Sequence, residues 1–457
     1  MKTYQDWLKV ANSDENARMA FIKSAIEDFK ASPEYRNALD GDAYYNGRNT
    51  TIKRYEKILF NALGQAVPDL VSANHKLASR FFYRDVMQAA SVLLGNGVKW
   101  ASPEAIGGKA LGIDFDAKLL KAYKIAQRQG AAFGFYNNGR VEIYKFTEFM
   151  PLVDEEDGSI KAGIRFWQIA SNKPLRATMF ELDGYTEYMW DDKGNGSVKQ
   201  EKRGYKMVVG ESKADGEIIY NYENYPTFPV VPLYVNEEKE SELMPLRSKI
   251  DCRDLISSGY ANDIDDASII YWTITNSGGM DDADLVKMLD KLRKLHATQT
   301  DGDVNLQSHS VEPSYQGREA ILTRLDADLY EDAMAVNTKD LSSRNATATE
   351  IIAAYEPLNE KLDDHETYIT TFILGLLAVA DIEDMPSYDR AVVMNKAEEI
   401  NTILAAAMYL PEEYITSKIV TLFGDKDALE DIKAQQAGES INRLTGGNNN
   451  PDGDGNE

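Results

Sequence analysis

The reading of the fold turns on two acidic segments, 245-PLRSKIDCRDLISSGYANDIDDAS-268 and 318-REAILTRLDADLYEDAMAV-336, and on what separates and follows them. In the first, Leu246, Ile250, Leu255, Ile256, Tyr260 and Ile264 supply apolar contacts at helical spacing, and Pro245 suits a first-turn position. Asp251, Asp254, Asp263, Asp265 and Asp266 make its other positions acidic. Such a helix is about 36 Å long. In the second, Leu322, Leu325, Leu329, Ala333 and Val336 share a face, while Asp326, Asp328, Glu331 and Asp332 lie largely elsewhere. Residues 337–347 (NTKDLSSRNAT) have no periodicity and read as a polar loop. A further helix then runs from near Thr349 to Ala380, about 48 Å if unbroken, and Pro357 is expected to kink it by deleting a backbone donor. Enzymes rarely need this order. A ring of subunits does, because two helices per subunit line a bore while the insert and loop project from its ends.

The insert, 269–316, holds a β-branched and aromatic run (IIYWTIT), a Ser-Gly-Gly turn, an amphipathic helix (ADLVKMLDKLRKLH) and a polar stretch (DGDVNLQSHSVEPSY). Outside this region the chain divides at YPTFPVVPLYVN, where Pro226, Pro229 and Pro232 indicate an extended connector or sheet edge. Before it, Ser13-Asp14-Glu15 opens a helix whose face carries Phe21, Ile22, Ala25, Ile26 and Phe29, and Pro33 limits its far end. A second helix is expected after Asn74, ending at Gly95. From Ala132 the period changes to strands. AAFGFYNNGRVEIYKF reads as a hairpin on Asn137-Asn138-Gly139, and further strands are expected up to Tyr222. A short strand (AVVM, 391–394) and two or three helices over 396–436 follow the long helix, before a Gly/Asn-rich tail.

At 457 residues the chain exceeds a single core, so two or more lobes are expected. Its formal charge of −24 disfavours a free-standing nucleic-acid binder, since phosphate affinity comes from cations that displace counterions. It does not disfavour non-adhesive passage of a polyanion. The single Cys252 allows no disulfide within the chain and fits a reducing origin. MKTYQDWLKV lacks the apolar run of a signal peptide, and the most apolar segment, 372–380, is too short to span a bilayer, so a soluble chain is expected.

Chemistry-bearing motifs are mostly lacking. GGKALG at Gly107 has neither the upstream glycine nor the Ser/Thr of a phosphate loop, and no HExxH, CxxC or GxSxG occurs. Asp301, Asp303, Asn305, Gln307 and Glu312 follow calcium-loop spacing, but Leu306 stands where glycine is needed, so a polar loop tip is the expectation. His75, His296, His309 and His365 show no ligand spacing and read as surface or capping residues. Asp263, Asp265 and Asp266 read as a solvated acidic face, because carboxylates at i and i+2 on a helix point apart. No metal and no cofactor is implied.

Four segments together resemble the portal proteins of tailed bacteriophages, in the branch typical of long-tailed phages of Gram-positive hosts. They are ANHKLASRFFYRDVMQAASVLLGNGVKW, FTEFMPLVDEEDGSIKAGIRFW, FPVVPLYVNEEKESELMPLRSKIDCRDLISSGYANDIDDAS and LPEEYITSKIVTLFGDKDALEDIKAQQ. They lie across nearly the whole chain in the family's order. One departure is SSRNATATEI, which replaces the more usual Ser-Gly turn before the long helix.

The resemblance implies an α+β portal fold and a ring, normally a dodecamer, at one capsid vertex. It implies a wing (1–240), a first stem helix (241–268), a clip (269–317) and a second stem helix (318–336). A channel loop (337–347), the long kinked helix with a return to the wing (348–395), a helical crown (396–437) and a disordered tail (438–457) complete the division. The implied partners are double-stranded DNA, the terminase large subunit, the head-completion adaptor, the major capsid protein and scaffolding protein, with no membrane. Twelve chains would carry roughly −288 formal charges, and acidic stem helices would repel the duplex toward the axis. Lys339 and Arg344, with Asn337, Ser342, Ser343 and Asn345, are the loop residues expected near DNA. The competing readings are another virion assembly protein without a channel, and a carboxylate-dependent hydrolase or nuclease built on Asp263 and Asp266.

Overall fold

The computed structural model describes residues 2–60, 64–69, 72–212, 218–267, 271–275, 281, 283–284, 286–287, 305–309, 315–343, 347–390, 400 and 403–423. It divides into two compact units, residues 1–336 with 357–391, and residues 337–356 with 392–457.

The first unit opens with α1 (Tyr4–Ala11) and α2 (Glu15–Ala31). The α2 cap is the Asp14 carboxylate, which accepts from Ala17 N, rather than the Ser13 hydroxyl. Ser32 ends α2 and caps α3 (Pro33–Tyr45), so Pro33 stands at the first position of the next helix, where its missing N–H is harmless. A short α4 (Thr50–Arg54) leads to the ribbon β1 (Ile58–Phe60) and β2 (Ala66–Pro68). The helix expected after Asn74 begins only at Phe81. Residues 72–80 have no helical structure, the amides of His75, Leu77 and Ser79 being taken by side chains of another helix, and α5 runs Phe81–Leu94. Then come β3 (Val98–Trp100), α6 (Ile106–Leu111) and α7 (Phe115–Gln129).

The Asn-Gly hairpin forms as expected. Strands β4 (Ala132–Tyr136) and β5 (Val141–Lys145) meet at Asn138 and Gly139, both at positive φ (45° and 77°). Five strands then make an antiparallel meander: β6 (Phe149–Val153), β7 (Ile160–Trp167), β8 (Leu175–Glu181), β9 (Gly184–Trp190) and β10 (Gly196–Arg203). Burial alternates strictly along β9, as a sheet covered on one face requires. The cover is α1 and α2: Trp7, Ile22, Ile26 and Phe29 pack on Met150, Ile164, Met179 and Tyr188. A separate ribbon, β11 (Lys206–Ser212) with β12 (Ile218–Glu223), precedes β13 (Val230–Leu233), which pairs with β4 as the outer strand of a three-stranded sheet and contains Pro232.

The helical half follows. Helix α8 spans Leu243–Ala267, the insert supplies the antiparallel pair β14 (Tyr271–Thr275) and β15 (Asn305–His309), and α9 spans Tyr315–Asp332. The polar loop tip expected around Asp301 is corrected in part. Asn305 and Gln307 belong to a strand paired residue for residue with β14, while Asp301, Asp303 and Glu312 lie outside the described residues. After α10 (Thr338–Ser343), α11 covers Ala348–Ala380 as one helix with Pro357 inside it. Thr347 and Glu350 cap α11 reciprocally. Strand β16 (Pro386–Tyr388) returns to pair with β3, a pairing with no forecast in the sequence, whereas the AVVM strand lies outside the described residues. Of the 396–436 region the structure describes a turn at Ala406–Met408 and α12 (Glu412–Phe423). The chain is α+β. Among the described residues no helix is long and apolar enough to cross a membrane.

From Pro357 onward α11 packs into the first unit, and its Phe372 ring lies against the bare backbone of Gly134 in β4. A Cβ placed on Gly134 would stand 2.6 Å from Phe372 Cζ. Gly134→Val is therefore expected to destabilise the first unit by about 1–3 kcal/mol through overpacking. Calorimetric melting against the unsubstituted chain measures it.

Candidate functional site

Helices α8 and α9 lie antiparallel, and three cross-helix ion pairs fix their register: Lys249–Asp332, Arg253–Asp326 and Asp263–Arg318. As the number rises on one helix it falls on the other. The acidic positions are thus not one uniform unpaired face. Asp263, Asp326 and Asp332 each meet a cation of the facing helix. Asp328 lies 3.8 Å from Arg324 one turn back, and Asp265 lies 3.3 Å from His75. Glu331 is exposed. Asp266 belongs to α8, but its side chain is outside the described residues. Sequence reasoning missed these pairs because it weighed the carboxylates alone. The signal was present in Lys249 and Arg253, one turn apart on the same helix face.

The buried stripe of α8 runs through every fourth residue and changes character along its length. Leu246 and Ile250 pack on Tyr44, Phe81 and Val86 at its foot. Asp254, Ser258 and Asn262 continue the same line and are also buried. Leu255 and Ile264, expected to supply apolar contacts, are exposed instead. The polar residues prevail because they bind a neighbouring segment. Asn262 Oδ1 accepts from His75 N (2.5 Å), Ser258 Oγ from Leu77 N (2.9 Å) and Asp254 from Ser79 N (3.0 Å). Four helical residues rise about 6 Å and two extended residues about 6.6 Å, so the two rows stay in step. Burial pushes the Asp254 carboxyl up, against the donors it receives from Ser79 and Asn49.

Where the foot of this helix pair meets the long helix, a lysine is buried between two carboxylates. Lys361, on α11, has a side chain 8% exposed. Its Nζ lies 3.4 Å from Asp85 Oδ1 and 3.4 Å from Glu242 Oε2, and donates to Ala333 O at 3.1 Å. Burial opposes charge on Lys361, but the two carboxylates outweigh it and hold its pKa above the ordinary lysine value. The Glu242 carboxyl, although burial raises it, is held below its usual value by Lys361 and by an Asn236 donor. One turn on, His365 is buried, not at the surface. Its Nδ1 lies 2.6 Å from Tyr123 OH. Burial raises the Tyr123 phenol well above its usual range, which keeps it a donor, and pushes His365 down to about 4, which keeps it an acceptor. A cleft of about 300 Å³ lined by Glu242, Leu246, Ala333, Lys361 and His365 adjoins this centre.

In the second unit, residues 337–347 are not wholly irregular: Thr338–Ser343 forms a short helix. The hydroxyls satisfy its backbone, Ser342 Oγ donating to Lys339 O and Ser343 Oγ to Asp340 O. Lys339, Ser342 and Ser343 are exposed, Asn337 is half-buried, and Arg344 and Asn345 lie outside the described residues. Cys252 is exposed on α8. Among the described residues no group of three or more His, Cys, Asp or Glu side chains is arranged to hold a metal ion.

In chain order the elements are an α+β lobe, a helix, a two-stranded insert, a second helix, a short polar segment and a long proline-bearing helix. Residues 136–441, more than half of the chain, match the family described as phage portal protein, SPP1 Gp6-like, and the chain belongs to that family. It is 26% identical over 201 residues to a protein named portal protein from Clostridium phage phiCD119, a match covering 42% of this chain and 45% of the relative. The chain thus spans less than half the length of that relative. Among solved structures it resembles a chain of the virion of a native gene transfer agent particle. That match has 12% identity and a TM-score of 0.45, and covers 75% of this chain and 89% of the other. It also resembles a chain of the neck of a native gene transfer agent particle computed with C12 symmetry, with 10% identity and a TM-score of 0.44 over 74% and 89% of the two chains.

Two outcomes are expected of the buried centre. Lys361→Met leaves Asp85 and Glu242 buried without their cation and should cost about 3–5 kcal/mol, while adding Asp85→Asn should recover part of that loss; urea unfolding of the single and double variants tests it. His365 is neutral in the folded chain down to pH of about 4, whereas the unfolded imidazole takes up its proton near 6.5. Its contribution is therefore complete above pH 6.5 and is lost progressively as pH falls toward 4. Melting temperature should fall more steeply across that window for the native chain than for His365→Gln.

Proposed function

We propose that this chain is the portal subunit of a phage head, forming a ring, by expectation a dodecamer, at a unique capsid vertex. Through that ring the genome enters during packaging and leaves at ejection. The supporting observation is the family match over 136–441, which takes in both acidic helices, the insert, the 337–347 segment and the long helix.

In this reading residues 245–268 and 318–336 form the stem, 269–317 the clip, 337–347 the channel loop, 396–437 the crown and the N-terminal α+β lobe the wing. The ring is a conduit, and the work of moving DNA falls to a separate terminase motor that docks on it. The head-completion adaptor, major capsid protein and scaffolding protein are the other partners. A chain of formal charge −24 suits this role. A lysine-lined bore would neutralise many phosphates at once and hold the duplex, since affinity grows with the number of phosphates neutralised. The cross-helix pairs refine the point. With Lys249, Arg253 and Arg318 each occupied by a carboxylate, the stem presents few cations to bind phosphate, and repulsion rests on carboxylates such as Glu319 and Glu331. Lys339 and Arg344 give weak, transient contacts to the moving backbone.

Replacing Lys339 and Arg344 together by alanine should reduce packaged DNA per particle while rings still assemble. Loss of assembly would make these residues structural instead. Changing Glu319 and Glu331 to lysine should slow DNA movement in a packaging assay, and an unchanged rate would place these positions away from the channel.

A further inference from the structure

The chain leaves the first unit after Val336 and re-enters it at Pro357. Both points are held, and by one helix. At the outgoing point the Gln88 side chain of α5 bonds the Val336 backbone in both directions. Val336 N donates to Gln88 Oε1 at 2.9 Å, and Gln88 Nε2 donates to Val336 O at 3.1 Å. One side-chain amide thus does what a paired strand residue does, accepting from and donating to a single backbone unit. Val336 itself is buried. At the returning point Asp85, three residues before Gln88 and on the same side of α5, holds Lys361 of α11. Lys361 also donates to Ala333 O, so the two points are tied to each other.

The backbone at the outgoing point is held under strain. Helix α9 closes with Met334 N on Glu331 O (3.0 Å) and Ala335 N on Tyr330 O (2.9 Å), a helix end that usually places glycine in the left-handed conformation. Here the residue is Met334, at φ 52°, which its side chain disfavours. Such a conformation persists where the surroundings over-determine it, and the bonds to Ala333 O and to both ends of Val336 do so. At the returning point Pro357 has no N–H for the Ala353 carbonyl, so the α11 ladder is interrupted where the unit boundary falls. We infer that Gln88 is the positioning residue of the channel segment. It pins the outgoing root as Asp85 and Lys361 pin the returning one, so 337–356 yields to passing DNA about two fixed points. This rests on the reading of 337–347 as channel loop and goes further, in naming what holds the base of that loop.

The test compares the full-length native chain with Gln88→Met, which keeps the side chain's reach and apolar stem but neither bond. Hydrogen exchange, read by mass spectrometry with fragmentation, follows single amides, and DNA loading into heads assembled with each chain follows packaging. In the native chain the Val336 amide should exchange at least about a hundredfold more slowly than those of Thr338 and Lys339, which head a short helix and have no partner within it. Equal rates would overturn the inference without any variant. Q88M should form rings and melt within about 4 °C of the native chain. It should speed exchange at Val336 by about tenfold or more, leave the α5 amides at their native rate, and lower the packaging rate severalfold. An unchanged Val336 rate in Q88M would overturn the pin. A faster Val336 with packaging at the native rate would overturn its role in positioning the loop, and either result leaves the ring reading intact. Should Q88M fail to fold, the native comparison of Val336 with Thr338 and Lys339 decides. A native chain that forms no rings would defeat the ring reading, and with it the loop that Gln88 is named to position, whatever Val336 shows.

Discussion

One buried cation organises the first unit. Lys361 draws Asp85 of α5, Glu242 at the start of α8 and the Ala333 carbonyl just beyond α9 to a single point on the long helix. None of these groups is stable in a dry interior alone, since removing a charge from water costs several kcal/mol that only close partners offset. Four chain segments far apart in sequence therefore have to meet there. The Tyr123–His365 pair, one turn along the same helix, extends this constraint to α7.

The helix pair above that point is held by a different device. Its foot is apolar, with Leu246, Ile250 and Leu329 in one cluster. Higher up, carboxylate, hydroxyl and amide replace aliphatic side chains, and they grip a non-helical segment of the same chain through its backbone amides. Side-chain hydrogen bonds to backbone amides are directional, so they set the position of residues 75–79 along the helix more sharply than apolar contact does. Surface ion pairs between the helices add little energy individually, but Lys249 and Arg253 facing carboxylates and Asp263 facing Arg318 are all satisfied together in this one register.

The broad layout was legible in sequence because it rests on periodicity and on residues with fixed backbone preferences. Asn138-Gly139 placed the hairpin turn, Pro232 placed an outer strand, and the apolar spacing of 322–336 and 351–377 placed the later helices. What stayed hidden depends on partners remote in the chain. Asp254 looks like one more surface carboxylate until residues 75–79 are laid against it. His365, in the charged run KLDDHETY, has no local mark of burial. The β3–β16 pairing joins two three-residue strands too short to show a period. Of the loop residues that the resemblance placed near DNA, Lys339 is exposed, and the hydroxyls of Ser342 and Ser343 turn out to serve their own short helix.

Pro232 has an effect beyond marking a boundary. It sits in the outermost strand beside β4, where a peptide nitrogen without hydrogen interrupts the row of groups that a further strand would need. A proline at the rim of this small sheet is a steric and chemical stop against edge-to-edge growth into a fibre.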